Sequence, residues 1–132
     1  MRVLLDTNAY TAFRRGNKSV VDHIRQAEDV LLSAIVVGEL LFGYRNGSRY
    51  EENARDLQAF LADASVHFLP VSWKTADLFG EIAASLRKAG TPIPTSDIWI
   101  AAQAKEADAS LLSADRHFLQ VDGIDLIKFT IA

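Results

Sequence analysis

The sequence contains no cysteine among its 132 residues. Disulfide bonds, zinc sites with thiolate ligands and catalysis by a cysteine nucleophile are therefore excluded. The absence also suits a reducing compartment. No internal repeat or tract of low complexity interrupts the chain. Because a chain of this length buries most of its apolar surface without cross-links, we expect one domain over residues 1–132.

Long hydrophobic runs are missing as well. Only three apolar residues separate Arg2 from Asp6, too few for the apolar region of a secretory signal. No stretch approaches the roughly 20 apolar residues of a membrane-spanning helix. We therefore expect a cytoplasmic protein that does not associate with membranes.

An excess of positive charge is missing too, since the formal net charge is −3. The whole molecule is therefore no general binder of polyanions. Residues 10–50 nevertheless hold six basic against four acidic residues, a local balance of +2. Two interpretations remain, a solvated surface and a rim that follows phosphates. The candidates for contact with a nucleic-acid backbone are Arg14, Arg15 and Arg45.

What the sequence does contain is a regular alternation of short apolar runs and longer amphipathic segments. The predicted strands cover residues 2–5, 30–33, 66–71, 110–113 and about 125–129. The predicted helices cover residues 7–15, 18–27, 34–44, 50–62, 73–89 and about 97–107. Strands separated by helices of ten or more residues are typical of βαβ units. The pattern predicts an α/β sandwich with a parallel sheet.

Four acidic residues occupy positions that such a sheet would bring together. Asp6 and Asp115 follow predicted strands, and Asp97 opens a helix after the loop TPIPTS. Ligands of open parallel sheets bind at the carboxyl ends of the strands. Glu39 lies within the apolar segment AIVVGELLFGY, where a buried, unpartnered carboxylate costs several kcal/mol. Glu39 therefore needs a cation, a strong donor or an opening to water.

Each acid also has an ordinary structural role. Asp6 can cap the following helix, Asp97 can face a helix dipole, and Asp115 can shape a turn. One cluster would explain all of them together, but clustered carboxylates repel unless a cation neutralises them. Oxygen ligands without cysteine favour Mg²⁺ or Mn²⁺, and these ions suit phosphodiester chemistry.

Each of the four acids lies in a short motif, in this order: LLDTN at 4–8, VGELLFGYRNG at 37–47, PIPTSDIWIAAQA at 92–104 and LLSADRHF at 111–118. By these four motifs the chain resembles the PIN-domain nucleases, and most closely the VapC group of bacterial toxin ribonucleases. The resemblance spans essentially the whole chain. It implies a PIN-like three-layer α/β/α sandwich with a central, mainly parallel β-sheet.

The resemblance also implies a metal-dependent endoribonuclease toxin that hydrolyses RNA phosphodiester bonds. The carboxylates implied to bind one or two Mg²⁺ or Mn²⁺ ions and to serve catalysis are those of Asp6, Glu39, Asp97 and Asp115. The side chains implied to support them through hydrogen bonds are those of Thr7, Asn8 and Ser113. The implied partners are a cognate VapB-type antitoxin and a second copy of the chain. A catalytically weak PIN-like protein-binding module is the alternative.

One position departs from the family pattern. Many relatives carry an acid two residues after the position of Asp115, where this chain has His117. We interpret His117 as a turn residue, with contact to a phosphate or metal as the alternative, and the number of metal ions stays open. Among the aromatic residues, we expect Trp73 and Trp99 to lie in the core.

Overall fold

The computed structural model describes residues 1–131, which form one parallel sheet flanked by helices. Its strands are β1 (Arg2–Leu5), β2 (Asp29–Ser33), β3 (Val66–Leu69), β4 (Ser110–Ser113) and β5 (Asp125–Lys128). Their order is β3-β2-β1-β4-β5, and every neighbouring pair is parallel. The predicted α/β architecture is confirmed, with a sheet that is wholly rather than mainly parallel over these residues.

Six α-helices and one 3₁₀-helix connect the strands within the described residues. They are α1 (Thr7–Arg14), α2 (Lys18–Gln26), α3 (Ala34–Arg45), α4 (Tyr50–Leu61), α5 (Trp73–Ala89), α6 (Thr95–Ala107) and the 3₁₀-helix η1 (Arg116–Gln120). Over residues 1–131, none of these helices combines the length and the apolar character that crossing a membrane requires.

The core lies on both sides of the central strands. Val3, Leu4 and Leu5 of β1 are fully buried, as are Leu111 and Leu112 of β4. Strands covered on both faces need continuous apolar runs, which explains why these segments show no alternation with polar residues. The sheet therefore holds β1 and β4 side by side, and the residues that follow their carboxyl ends are fixed in position relative to each other.

Two ends, one of a strand and one of a helix, differ from the prediction by two residues, and prolines explain both, while the other differences are of one residue. Strand β3 ends at Leu69 because Pro70 has no N–H to donate to a neighbouring strand. Helix α6 begins at Thr95, two residues before the predicted start, with Pro94 in the cap position. Pro94 fixes the backbone just before the first turn, so that Asp97 lies within that turn rather than ahead of it.

The expectation that both tryptophans belong to the core is wrong for Trp73, whose exposure is 89%. On α5 the buried positions are Thr75, Ile82 and Leu86. At 100° per residue, Trp73 points about 200° away from Thr75, towards solvent. Trp99 is half-buried and stacks on Phe79, with ring centroids 4.2 Å apart.

Candidate active site

The carboxyl ends of β1 and β4 bring Asp6 and Asp115 to the same edge of the sheet. Leu5 is in register with Leu112, and the Asp6 backbone N–H donates to the Leu112 carbonyl at 3.1 Å. Asp6 comes directly after β1, and Asp115 comes two residues after β4. The pairing of two strands more than 100 residues apart in sequence therefore fixes the first two acids.

Asp6 is 4% exposed and accepts hydrogen bonds on both carboxylate oxygens. Oδ1 accepts from the backbone N–H of Thr7 at 2.8 Å, which makes Asp6 the N-cap of α1. Oδ2 accepts from the Ser113 hydroxyl at 2.6 Å and from the Asn8 amide at 3.2 Å. Asp6 is thus a helix cap and a member of the cluster at once, through different oxygen atoms.

Ser113 and Asn8 connect the two strand ends through their side chains. The Ser113 Oγ accepts the Asp115 backbone N–H at 3.0 Å while donating to Asp6. The Asn8 Oδ1 accepts the backbone N–H of Ala114 at 3.1 Å. These bonds tie the backbone that carries Asp115 to the side chain of Asp6, so the two carboxylates are held relative to each other.

Glu39 reaches the cluster from helix α3, and its environment resolves the question that its apolar surroundings raised. Its side chain is exposed to the cleft rather than enclosed by the core. Its Oε1 accepts a hydrogen bond from the Thr7 hydroxyl at 2.8 Å. Glu39 therefore has both an opening to water and a donor, two of the three conditions inferred from the sequence.

Asp97 enters from the first turn of α6, where it does not cap the helix. Its Oδ2 lies 2.9 Å from the His117 Nδ1, which is also 2.9 Å from the Asp115 Oδ1. Asp115 in turn caps the 3₁₀-helix η1 by accepting the His117 backbone N–H at 2.8 Å. His117 is therefore more than a turn residue, since its ring joins two of the carboxylates.

Burial, together with neighbouring negative charges, raises the pKa values of Asp6 and Asp97. Burial raises the pKa of Asp6 to about 6, although the hydrogen bonds from Ser113 and from the Thr7 amide oppose the rise. The negative charges of Asp97 and Glu39 raise it further. Burial also raises the pKa of Asp97, against the effect of its hydrogen bond with His117.

The hydrogen bond to Asp97 is the main reason why the pKa of His117 is raised above its ordinary value. Within residues 1–131, His117 is the one basic side chain within 4.0 Å of any of the four carboxylates. The favourable interaction of the ring with Asp97 and Asp115 shows that the acidic cluster attracts positive charge.

All four acids line one cleft of about 940 Å³. Residues of α1, the α1–α2 turn, the start of α2 and the segment after β5 line the remainder. Of the three arginines proposed from the sequence, Arg15 lies on this cleft. Arg14 pairs with Asp56 at 3.0 Å, and Arg45 lies over the ring of Tyr50 at 4.2 Å, so neither lines it.

The sequence did not predict two of the basic residues that line the cleft. Lys128 at the end of β5 lines it, as does Lys18 at the start of α2, which the charge count included but did not assign. His117 was recognised only as a departure from a pattern. The position of Lys128 follows from the pairing of β4 with β5, and no local signal in the sequence indicates it.

The donor set fits a hard divalent cation. Carboxylate oxygens are the ligands of Mg²⁺ and Mn²⁺, and a bound cation would offset the burial and the neighbouring negative charges that raise the pKa values of Asp6 and Asp97. Asp97, Asp115 and His117 each offer a ligand atom within 4.8 Å of the others. The residues present could hold such an ion through Asp97 and Asp115, with Asp6 and Glu39 on the same cleft wall.

Comparison with known sequences gives matches over nearly the full length. Residues 3–124 match the family model of the PIN domain. The chain is 32% identical over 124 residues to Ribonuclease VapC2 of Haemophilus influenzae, and the match covers 92% of each chain.

Solved structures share the same architecture. The structure of VapBC2 from Rickettsia felis bound to a DNA fragment from its promoter superposes with a TM-score of 0.88 at 24% identity. That match covers 98% of this chain and 100% of the other, and it shows likeness of fold alone. The structure of FitAcB from Neisseria gonorrhoeae gives a TM-score of 0.77 at 27% identity, covering 96% of both chains.

Proposed function

The chain belongs to the PIN-domain family and, within it, to the VapC ribonucleases, and we propose on this premise that it is a metal-dependent endoribonuclease that acts as a toxin. One observation carries the proposal. Four carboxylates from four separated segments line one cleft, and three neighbouring polar side chains bond to them or to their backbone. The carboxylates proposed to bind Mg²⁺ or Mn²⁺ are those of Asp6, Glu39, Asp97 and Asp115.

A divalent ion bound there supplies positive charge that activates water and stabilises the phosphate oxygens. Asp97 and Asp115 would hold the ion directly, and Asp6 and Glu39, which line the same cleft, would bind it through its water ligands. Hydrolysis that breaks the bond between phosphorus and the 3′-oxygen would leave 5′-phosphate and 3′-hydroxyl ends.

The supporting side chains keep the carboxylates in place. Thr7 donates to Glu39, and Ser113 and Asn8 donate to Asp6. Such hydrogen bonds orient metal ligands and make them better donors to the ion. We propose that these three residues contribute to activity without contacting the RNA.

The negative charge of the cleft indicates how an antitoxin would bind to it. VapBC2 and FitAcB are the proteins of the matched structures, and we propose that this chain is likewise neutralised by a cognate VapB-type antitoxin. An arginine of that partner would pair with two carboxylates of the metal-free cleft. We also propose a homodimer in the cytoplasm and a single PIN domain over residues 1–132, a domain supported by the joining of all five described strands in one sheet.

The test is cleavage of total cellular RNA by the purified, antitoxin-free protein with Mg²⁺, with Mn²⁺ and with EDTA. We expect discrete cuts that require the metal and that Asp6→Asn reduces by two orders of magnitude or more. Asp77→Asn is the matched control, since Asp77 is an exposed acid on α5 outside the cleft. It should cleave like the wild type.

Two results would contradict the proposal. Cleavage by Asp6→Asn at the wild-type rate would remove Asp6 from the site. A metal-loaded protein that cuts no RNA under any condition, yet binds its antitoxin, would favour the protein-binding module.

A further inference from the structure

We propose that the end of the cleft formed by Arg15, Lys18 and Lys128, here called the basic end, binds RNA phosphates that flank the bond to be cut. The inference rests on the proposed function and deepens it, because it gives the RNA strand a path. That path leads from the four carboxylates past α1 to the start of α2 and the end of β5.

The basic end is assembled from three separate parts of the chain. Arg15 is the C-cap residue of α1, Lys18 begins α2, and Lys128 ends β5. All three line the cleft that also holds the carboxylates. Residues 15 and 128 are distant in sequence, so their convergence on one cavity is a property of the fold rather than of a basic segment.

None of the three cations makes an ion pair, a property that they share with most basic residues of the described chain. Within residues 1–131, no carboxylate lies within 4.0 Å of the charged group of Arg15, Lys18 or Lys128. The neighbouring Arg14 pairs with Asp56 at 3.0 Å, and Arg49 pairs with Glu52. Like charges that share one cavity repel each other, and an anion that enters relieves the repulsion.

Asn17 fixes the geometry of the basic end. Its Oδ1 accepts the Val20 backbone N–H at 3.2 Å, which caps α2. Its Nδ2 donates to the Thr130 carbonyl at 3.0 Å, which fastens the segment after β5 to the start of α2. Phe129 is 5% exposed and anchors that segment in the core directly beside Lys128. The backbone that carries two of the cations is therefore held in one arrangement.

The division of charge within the cleft favours an RNA strand over other anions. A phosphodiester strand carries one negative charge per nucleotide, so a phosphate placed at the carboxylates is always followed by others. Those phosphates need positive partners along the same cavity, and the carboxylate end offers them only through a metal ion. An acidic peptide would fit both ends only if it also carried a cationic side chain for the carboxylate end.

The first experiment measures binding of a fluorescent oligouridylate in EDTA, where no cleavage interferes. The variant is Lys18→Gln with Lys128→Gln, and the matched control is Arg87→Gln with Lys88→Gln, two exposed cations in the last turn of α5. We expect the cleft variant to bind at least about tenfold more weakly at low salt. Its slope of log K against log salt should fall by about 1 to 1.4, since each lost phosphate contact removes about 0.7.

The second experiment locates the phosphates. A neutral methylphosphonate linkage is placed at one position of the oligouridylate at a time. We expect the wild type to bind the oligouridylate more weakly when the methylphosphonate replaces a phosphate that contacts the basic end. For the double variant, the same linkages should cost little further affinity, because the cations that they meet are gone.

The outcomes separate this inference from the proposed function. Metal-dependent cleavage together with an unchanged salt slope in the double variant would overturn the basic end and leave the nuclease intact. A reduced slope in a protein that cuts no RNA would retain the basic end and overturn the nuclease. An unchanged affinity for RNA with a weakened affinity for the antitoxin would assign these cations to an acidic peptide instead.

Discussion

Asp6 has two roles that look like alternatives when only the sequence is considered. One carboxylate oxygen caps α1, and the other accepts the Ser113 hydroxyl beside the cleft. Asp115 combines roles in the same way, because it caps η1 and also meets His117. A carboxylate has enough lone pairs to stabilise local backbone and still face a ligand.

The raised pKa of Asp6 predicts a gain in stability for Asp6→Asn without metal. The folded protein binds this proton more tightly than the unfolded chain, since the pKa rises from 3.8 to about 6. Stability from this group is therefore present at low pH and is lost as the pH rises through that interval. In EDTA at pH 7.5 we expect Asp6→Asn to unfold at a higher urea concentration than the wild type. Its free energy of unfolding should be larger by up to about 3 kcal/mol. At pH 4.5 the gain should shrink by more than half, and equal gains at both pH values would contradict the assignment.

The bond from Thr7 to Glu39 gives a second prediction. Thr7→Val keeps the shape but removes the donor, whereas Thr7→Ser keeps the hydroxyl. We expect the valine variant to bind Mn²⁺ about 10- to 100-fold more weakly, as losses of hydrogen bonds to metal ligands typically do. The serine variant should remain close to the wild type in the same titration. If both variants bind Mn²⁺ equally well, the hydroxyl has no role in the site.

The positions of Asp6, Asp97 and Asp115 at one edge of the sheet were predictable from the sequence, whereas the roles of the three supporting side chains came from the family resemblance and stay predictions. Strand ends and a helix start can be read from local patterns, and strand ends meet at one edge. His117 and Lys128 could not be assigned in this way. The contact of His117 depends on its side-chain conformation beside Asp97, and that of Lys128 on the pairing of β5 with β4.

At the scale of elements, the sequence predicted every strand and α-helix of the described residues, with ends shifted by two residues or fewer, while the 3₁₀-helix η1 was predicted only as a turn. These segments could be located because the central strands and α6, which are buried on nearly all sides, are mostly apolar runs bounded by polar and turn residues. The face of α5 that bears Trp73 was the exception. The side of the first turn of α5 that faces the core depends on how the helix packs against its neighbours. The composition of the segment does not determine that packing.

The cap of α2 gives a prediction at this scale. Asn17→Ala removes the acceptor for the Val20 amide and the donor to Thr130, and it should cost about 1 kcal/mol in urea unfolding. Asn17→Ser retains a capping oxygen and should lose much less. Helix α2 is short and exposed on one side, so little packing replaces the cap. An alanine variant as stable as the wild type would show that the cap contributes nothing.

The molecule as a whole places its acidic centre and its cations in one cleft on a rigid sheet. A ligand that binds only the folded state raises the free energy of unfolding of the protein. The increase is about 2.7 kcal/mol when the free ligand concentration is 100 times the Kd. Because the sheet edge positions the carboxylates before any ligand arrives, binding needs little rearrangement of the fold.

Saturating Mn²⁺ should therefore raise the melting temperature of the wild type by several degrees, and excess EDTA should reverse the shift. Asp97→Asn should melt at the same temperature with and without Mn²⁺, because Asp97 is one of the two carboxylates that would hold the ion. Asp77→Asn should respond like the wild type in the same scan. A full Mn²⁺ shift in Asp97→Asn would place the ion elsewhere.

Strand β1 lies at the centre of the sheet, and its partner β4 begins more than 100 residues later. During translation, Asp6 leaves the ribosome long before Asp115 is made. At about 5 to 20 residues per second, the interval between them is roughly 5 to 20 s. The complete set of carboxylates therefore cannot assemble on the ribosome until Asp115 has been synthesised.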